Sequence, residues 1–202
     1  MRDNGQQLDV ALCVAPRRWA ISRALPRRER CRAALMIEGL LDAVIFDIGG
    51  TVVQERAPGT PVCDLAPQLL PRVAEDLAHL SRFVRIAAAT NTSVMTERDV
   101  RGLLDLAGVD QYFLVLVTSC DVGSSKPEPT QLIVAMERLE IDDPDRVLFV
   151  GDRDSDEMAA RAAGIPFAYV SVDGLRATVL EWAKRQIATG GTVGTDTSEW
   201  NT

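Results

Sequence analysis

Short apolar runs alternate with longer stretches of helical period along most of the chain. The run around which the rest is arranged is Leu41 to Thr51, LDAVIFDIGGT. Val44, Ile45 and Phe46 form an unbroken apolar stretch that stops at Asp47 and a pair of glycines. Such a run, ended by a turn signal, predicts a strand buried on both faces, as in a parallel sheet. Gly49 and Gly50 allow the backbone to turn sharply and to come close to a ligand. Further strands are expected at Phe83 to Ala89, Tyr112 to Val117, Arg146 to Val150 and Pro166 to Val172.

The segments between them carry the helical period. Pro67 to Leu80 has Leu69, Leu70, Val73, Leu77 and Leu80 on one face, with Pro71 in its expected first turns. Val94 to Ala107 places Val100, Leu103, Leu104 and Ala107 together and stops at Gly108. Pro127 and Pro129 open a helix whose inner face is Leu132, Ile133, Met136 and Leu139. Met158 to Ala163 is a short Ala-rich helix ended by Gly164, and Leu175 to Ala188 is the last. Strands alternating with helices predict an α/β fold, a Rossmann-like parallel sheet of about five strands with helices on both faces. Ligands in such sheets bind beyond the carboxyl ends of the strands. One rim would then gather Asp47, Thr90 with Asn91, the Lys126 loop, and Asp152 with Asp156. Lys126 stands out because Lys184 is the only other lysine.

Composition narrows the function. The 202 residues suffice for one domain with a sizeable core. A net charge of −7 argues against a general nucleic-acid binder. No apolar run approaches the roughly 18 residues of a membrane span. Cys13, Cys31, Cys63 and Cys120 are dispersed and form no CxxC pair, which points to free thiols in a reducing, cytoplasmic setting. His79 is the only histidine, so Ser-His-Asp and Cys-His catalysis and multi-histidine metal sites are disfavoured, and His79 is read as structural. Residues 1–35 hold eight arginines against three acids, a net +5, leaving −12 on the remainder. They keep no period and are expected to be a poorly ordered leader, with Met36 a natural start. Residues 36–188 would form the domain, and 189–202, rich in Gly and Thr, a disordered tail.

Taken together, the rim residues resemble the four motifs of the haloacid dehalogenase-like hydrolase superfamily, in order and at plausible spacing over about residues 41 to 172. They are Asp47-Ile48-Gly49-Gly50-Thr51, Thr90-Asn91, Lys126 in Ser-Ser-Lys-Pro-Glu-Pro, and Val150-Gly151-Asp152-Arg153-Asp154-Ser155-Asp156. The resemblance implies a magnesium-dependent phosphatase acting on a phosphorylated substrate. Asp47 would be the nucleophile that forms an aspartyl-phosphate. Mg2+ would bind Asp47, the carbonyl of Gly49, and Asp152, with Asp156 close by. Gly49, Gly50, Thr51, Thr90 and Asn91 would line the phosphate site, and Lys126 would neutralise charge on Asp47 and the transferring group. On a purely structural reading, Asp152 and Asp156 cap the Ala-rich helix and Thr90 merely ends a strand.

Two departures qualify the resemblance. Phosphatases of the superfamily carry a second Asp two residues after the nucleophile, where it protonates the leaving group and activates water. Here that position is Gly49, which supplies a carbonyl and no proton. General acid–base help is worth roughly 10²–10⁴-fold. A slow phosphatase, or one using good leaving groups, is therefore expected. The contrasting reading is a binding or regulatory protein that kept the fold and lost turnover. Phosphonate or halide cleavage ranks lower, since Lys184 is not at a cap position and no cap is evident. Thr51 and Thr90 lie 39 positions apart, too few for a separate lid domain. Capless relatives act on large substrates or close the site with a neighbouring subunit, so a homo-oligomer is among the expected states. Arg56 and Arg153 are candidates to meet an anionic substrate.

Overall fold

The computed structural model describes residues 37, 39–55 and 66–189. The expected leader, the tail from 190 onward and Arg56 lie outside the described residues. Five strands form one sheet: β1 (Ala43–Phe46), β2 (Arg85–Thr90), β3 (Val115–Thr118), β4 (Val147–Gly151) and β5 (Phe167–Tyr169). Their spatial order is β3-β2-β1-β4-β5, and every pairing is parallel. The α/β class, strand number and parallel arrangement match the expectation. β1 is central, with Phe46 in register with Ala88 on one side and Val150 on the other.

The helices are α1 (Val73–Leu80), α2 (Glu97–Leu106), α3 (Ser119–Val122), α4 (Thr130–Leu139), α5 (Asp154–Ala163) and α6 (Leu175–Ala188). Strand alternation sends neighbouring side chains to opposite faces of the sheet. Val44, Phe46, Ile86, Leu116, Leu148 and Val150 pack with Leu77, Leu104 and Val179 of α1, α2 and α6. Ala43, Ile45, Ala87, Ala89, Val117 and Phe149 pack with Leu132 and Ala135 of α4 and with Ala159 and Ala160 of α5. Both faces are covered, which is why the strands read as continuous apolar runs. The alanines of β2 and α5 let α4 and α5 lie close to the sheet. Among the described residues, no helix is long and apolar enough to cross a membrane.

Several boundaries differ from the sequence reading: α2 begins at Glu97, not Val94, β5 ends at Tyr169, not Val172, and three others have a plain cause. The first helix begins at Val73, not Pro67, and Pro71 precedes it. A residue before proline avoids the helical region, and Leu69 and Leu70 are instead extended. Leu69 bridges Val53, Leu70 donates to the Val52 carbonyl at 3.0 Å, and Gln54 donates to the Gln68 carbonyl at 2.8 Å. This pairing anchors the flap that follows Asp47. β3 begins at Val115, because Asp110–Tyr112 forms a 3-10 turn. α5 begins at Asp154, four residues before Met158, since its polar first turn is stabilised by acids rather than by core contacts.

Candidate active site

The carboxyl ends of β1, β2 and β4 and the loop after β3 enclose a small open cleft. Asp47, Gly49, Glu55, Thr90, Lys126 and Asp156 line it, with Asn91, Arg153 and Ser155. Asp47 directly follows β1, and its N–H donates to the Val150 carbonyl at 2.9 Å, so its position is tied to the central strands. Its side chain is buried. Burial pushes the carboxyl up to about 6; Lys126 opposes that shift and Asp156 adds to it.

Lys126 is the buried cation of the site. Its Nζ lies 2.5 Å from Asp47 Oδ1 and 2.7 Å from Asp156 Oδ1, and it donates to the Ala89 carbonyl at 3.0 Å. All three ammonium donors are thereby engaged. The ring of Phe149 lies beneath, 5.3 Å from Nζ to the ring centroid. The loop that carries Lys126 has little regular structure, and Asn91 holds it. Asn91 Nδ2 donates to the Lys126 carbonyl at 3.0 Å, and the Lys126 N–H donates back to Asn91 Oδ1 at 2.9 Å. Gln131 Nε2 supports the same oxygen at 2.8 Å and the Ser124 carbonyl at 3.1 Å. Asn91 is thus chiefly a clamp for Lys126.

Asp156 sits in the first turn of α5 with both oxygens occupied. Oδ2 accepts from the N–H groups of Asp152 and Arg153, at 3.2 and 3.1 Å, and Oδ1 faces Lys126. It caps the helix as the structural reading expected, and it also orients the lysine. Asp152 is different. Its Oδ1 is buried and has no hydrogen-bond partner. Burial raises its pKa, and Asp156 raises it further. Carboxylate oxygens of Asp47, Asp152 and Asp156 lie within 4.8 Å of one another. Three close carboxylates around a bare buried oxygen are unfavourable unless a cation joins them. The donor set is all oxygen, which suits a hard divalent ion such as magnesium.

Not every predicted residue reaches the cleft. Gly50 lies behind Asp152: a Cβ there would fall 2.2 Å from Asp152 Oδ2, and its φ of +80° also excludes most side chains. Its N–H donates to the Val53 carbonyl at 2.8 Å and is not free for a phosphate. Thr51 is fully buried below the flap. Thr90 does reach the rim, at the end of β2. Lys184 is exposed on α6, a helix packed on α1 and β5 and away from the cleft. Sequence reasoning passed over Glu55, Ser155 and Gln131. Glu55 lies in a loop without period, and only its proximity to the Asp47 motif could have marked it. Glu55 and Arg153 form an ion pair across the cleft mouth.

A parallel sheet with a lysine-bound aspartate at its central strand and an acidic pocket beside it is the arrangement expected from the superfamily that the motifs resemble. Residues 62–164 match the haloacid dehalogenase-like hydrolase family, and the chain belongs to that family. The matched stretch holds Thr90, Asn91, Lys126, Asp152 and Asp156; Asp47 lies before it and joins the site through the fold. Phosphoglycolate phosphatase of Escherichia coli K12 is 36% identical over 99 residues, covering 48% of this chain and 38% of that protein. The enzyme of the same name from Salmonella choleraesuis is 35% identical over 101 residues, again 48% and 38%. The match thus spans less than two fifths of the length of these curated relatives. Among solved structures, an uncharacterised protein of Listeria monocytogenes serotype 4b superposes with a TM-score of 0.58 at 23% identity, covering 65% of this chain and 79% of that one. A HAD-superfamily hydrolase of Geobacter sulfurreducens gives 0.53 at 22%, covering 64% and 86%. At these identities the structures attest the shared fold.

Proposed function

We propose that this chain is a phosphatase that works through a phosphorylated Asp47. The observation that carries the reading is the buried Asp47 carboxylate at the head of the cleft, gripped at Oδ1 by Lys126. Lys126 fixes one oxygen and leaves the other to attack phosphorus. Its charge, desolvated between Asp47 and Asp156, is placed to balance negative charge as the phosphoryl group transfers. Thr90 offers a hydroxyl at the rim to a phosphoryl oxygen. Asn91 and Gln131 hold the Lys126 loop in place, so that the lysine need not reorganise during the reaction.

Asp47, the Gly49 carbonyl and Asp152 would hold Mg2+, with Asp156 locking the loop behind them. The bare Asp152 Oδ1 supports this assignment. When bound, the ion would supply positive charge against the phosphoryl oxygens. Gly49 lacks the second carboxylate of related phosphatases, so good leaving groups are the natural first probes.

The test is magnesium-dependent turnover over a panel of acyl, aryl and alkyl phosphates that includes phosphoglycolate. Wild type should turn over at least the aryl phosphate, and Asp47→Asn should abolish this because an amide cannot act as the nucleophile. Absence of turnover by folded wild type on the whole panel would favour a binding or regulatory protein.

A further inference from the structure

We propose that Glu55 is a catalytic residue of this site, acting as the proton donor and acceptor that Gly49 cannot be. The inference rests on the phosphatase reading above. A Cβ built on Gly49 would lie 3.4 Å from Glu55 Oε1 and 3.7 Å from Glu55 Cγ. The Glu55 carboxylate therefore stands at the space into which a side chain at position 49 would project. Glu55 also lines the same cleft as Asp47, Thr90 and Lys126. The missing function and the available carboxylate coincide in space, although they are six positions apart in sequence.

The flap makes this placement specific. Gly49 bridges Val53, and the Gly50 N–H donates to the Val53 carbonyl at 2.8 Å, so the chain turns back on itself just after Asp47. Gln54 is fixed by its bond to the Gln68 carbonyl. Glu55 follows immediately, and Arg153, at the start of α5, pairs with it. The Glu55 side chain is about half exposed, at 49%, so water reaches it. An exposed ion pair with Arg153 contributes little to stability; here its consequence is orientation.

The steps balance as follows. In the first, an Asp47 oxygen bonds to phosphorus and the bond from phosphorus to the leaving oxygen breaks. Glu55, protonated from water and released from Arg153 in the substrate complex, gives that proton to the oxygen, which departs as an alcohol. In the second, the Glu55 carboxylate takes one proton from water while the water oxygen bonds to phosphorus. The bond between phosphorus and Asp47 breaks, inorganic phosphate leaves, and both carboxyl groups return to their starting states.

Glu55→Gln separates this role from mere packing, because glutamine keeps the length and can still accept a hydrogen bond from Arg153. The full chain with magnesium is assayed on 4-nitrophenyl phosphate, whose leaving group departs without a proton, and on glycerol phosphate, whose leaving group needs one. The expected result is a fall in kcat/KM, which reports phosphorylation of Asp47 and not the later attack of water, of about 10²–10⁴-fold on glycerol phosphate and less than tenfold on the aryl ester. The retained aryl activity, with an unchanged melting temperature, shows that the variant is folded. Equal losses in kcat/KM on the two substrates, or no loss on either, would overturn the role of Glu55 while leaving the phosphatase reading intact. Wild type inactive on both substrates would overturn the phosphatase reading, and this inference with it.

Discussion

At Asp47, burial opposes the charge that catalysis needs. Its folded-state carboxyl is raised to about 6 from 3.8, first by desolvation. A raised carboxyl favours the folded state while protonated. That contribution is complete below the unfolded value of 3.8 and is lost as pH rises through about 6. Two units correspond to about 3 kcal/mol at neutral pH. In a chelator at pH 7, Asp47→Asn should therefore be more stable than wild type by up to about 3 kcal/mol, and the difference should shrink toward pH 4. Denaturant midpoints at both pH values measure it; a less stable variant at pH 7 would mean that the attraction to Lys126 outweighs burial. Gly49 and Gly50 make a second residue-scale contrast. Gly49 is not among the positive-φ glycines, and an added Cβ makes ordinary contact with the flexible end of Glu55. Gly49→Asp should fold normally and, in the Glu55→Gln background, restore turnover of alkyl phosphates, within the roughly 10²–10⁴-fold reach of one acid–base group. Gly50→Ala should instead push Asp152 aside and remove magnesium-dependent turnover. If both variants behave alike in the alkyl phosphate assay, the local backbone assignment is wrong.

Among the elements, α6 is docked by a polar contact that the hydrophobic pattern does not reveal. Asp76 of α1 is buried, and its Oδ2 accepts from the Arg176 N–H at 3.2 Å, in the first turn of α6. Gly174 permits this approach: its φ is +100°, and a Cβ would lie 2.4 Å from the same oxygen. Asp76→Ala leaves a buried helix N-terminus without its acceptor, which costs about 1–3 kcal/mol; urea midpoints of the two proteins give the value, and a change under 0.5 kcal/mol would place the burial energy of α6 entirely in its apolar contacts. Asp76 shows where sequence reasoning stops. Periodicity marked Val73, Leu77 and Leu80 as inward, but an aspartate between them reads as surface. The same limit explains α1 itself, where an apolar spacing compatible with a helix from Pro67 is split by Pro71 into an extended partner for the flap and a shorter helix. At the site, Asp47, Lys126, Asp152 and Asp156 were legible because each ends a strand or follows a turn in a motif of fixed spacing. Glu55 and Gln131 were not, since their roles depend on contacts between segments that no period records.

For the molecule as a whole, the cation site couples function to stability. Asp47, Asp152 and Asp156 place three carboxylates against one lysine, and both Asp47 and Asp152 are pushed upward by burial. Binding a divalent ion only in the folded state stabilises by mass action, about 2.7 kcal/mol when the ion is at a hundred times its Kd. Magnesium should therefore raise the melting temperature of wild type by several degrees at pH 7.5. Protons compete for the same oxygens, so the shift should diminish as pH falls through about 6, where Asp47 takes up its proton. Asp152→Asn should lose most of the shift, because it replaces the carboxylate whose Oδ1 has no partner within the protein. Asp47→Asn should reduce it as well, and the stability gained by that variant in chelator should narrow when magnesium is added to both. Thermal melts with and without magnesium, at pH 5.5 and 7.5, test all of these expectations. A shift of equal size in wild type and Asp152→Asn at both pH values would place the ion elsewhere on an acidic surface and remove the metal from the proposed phosphatase site.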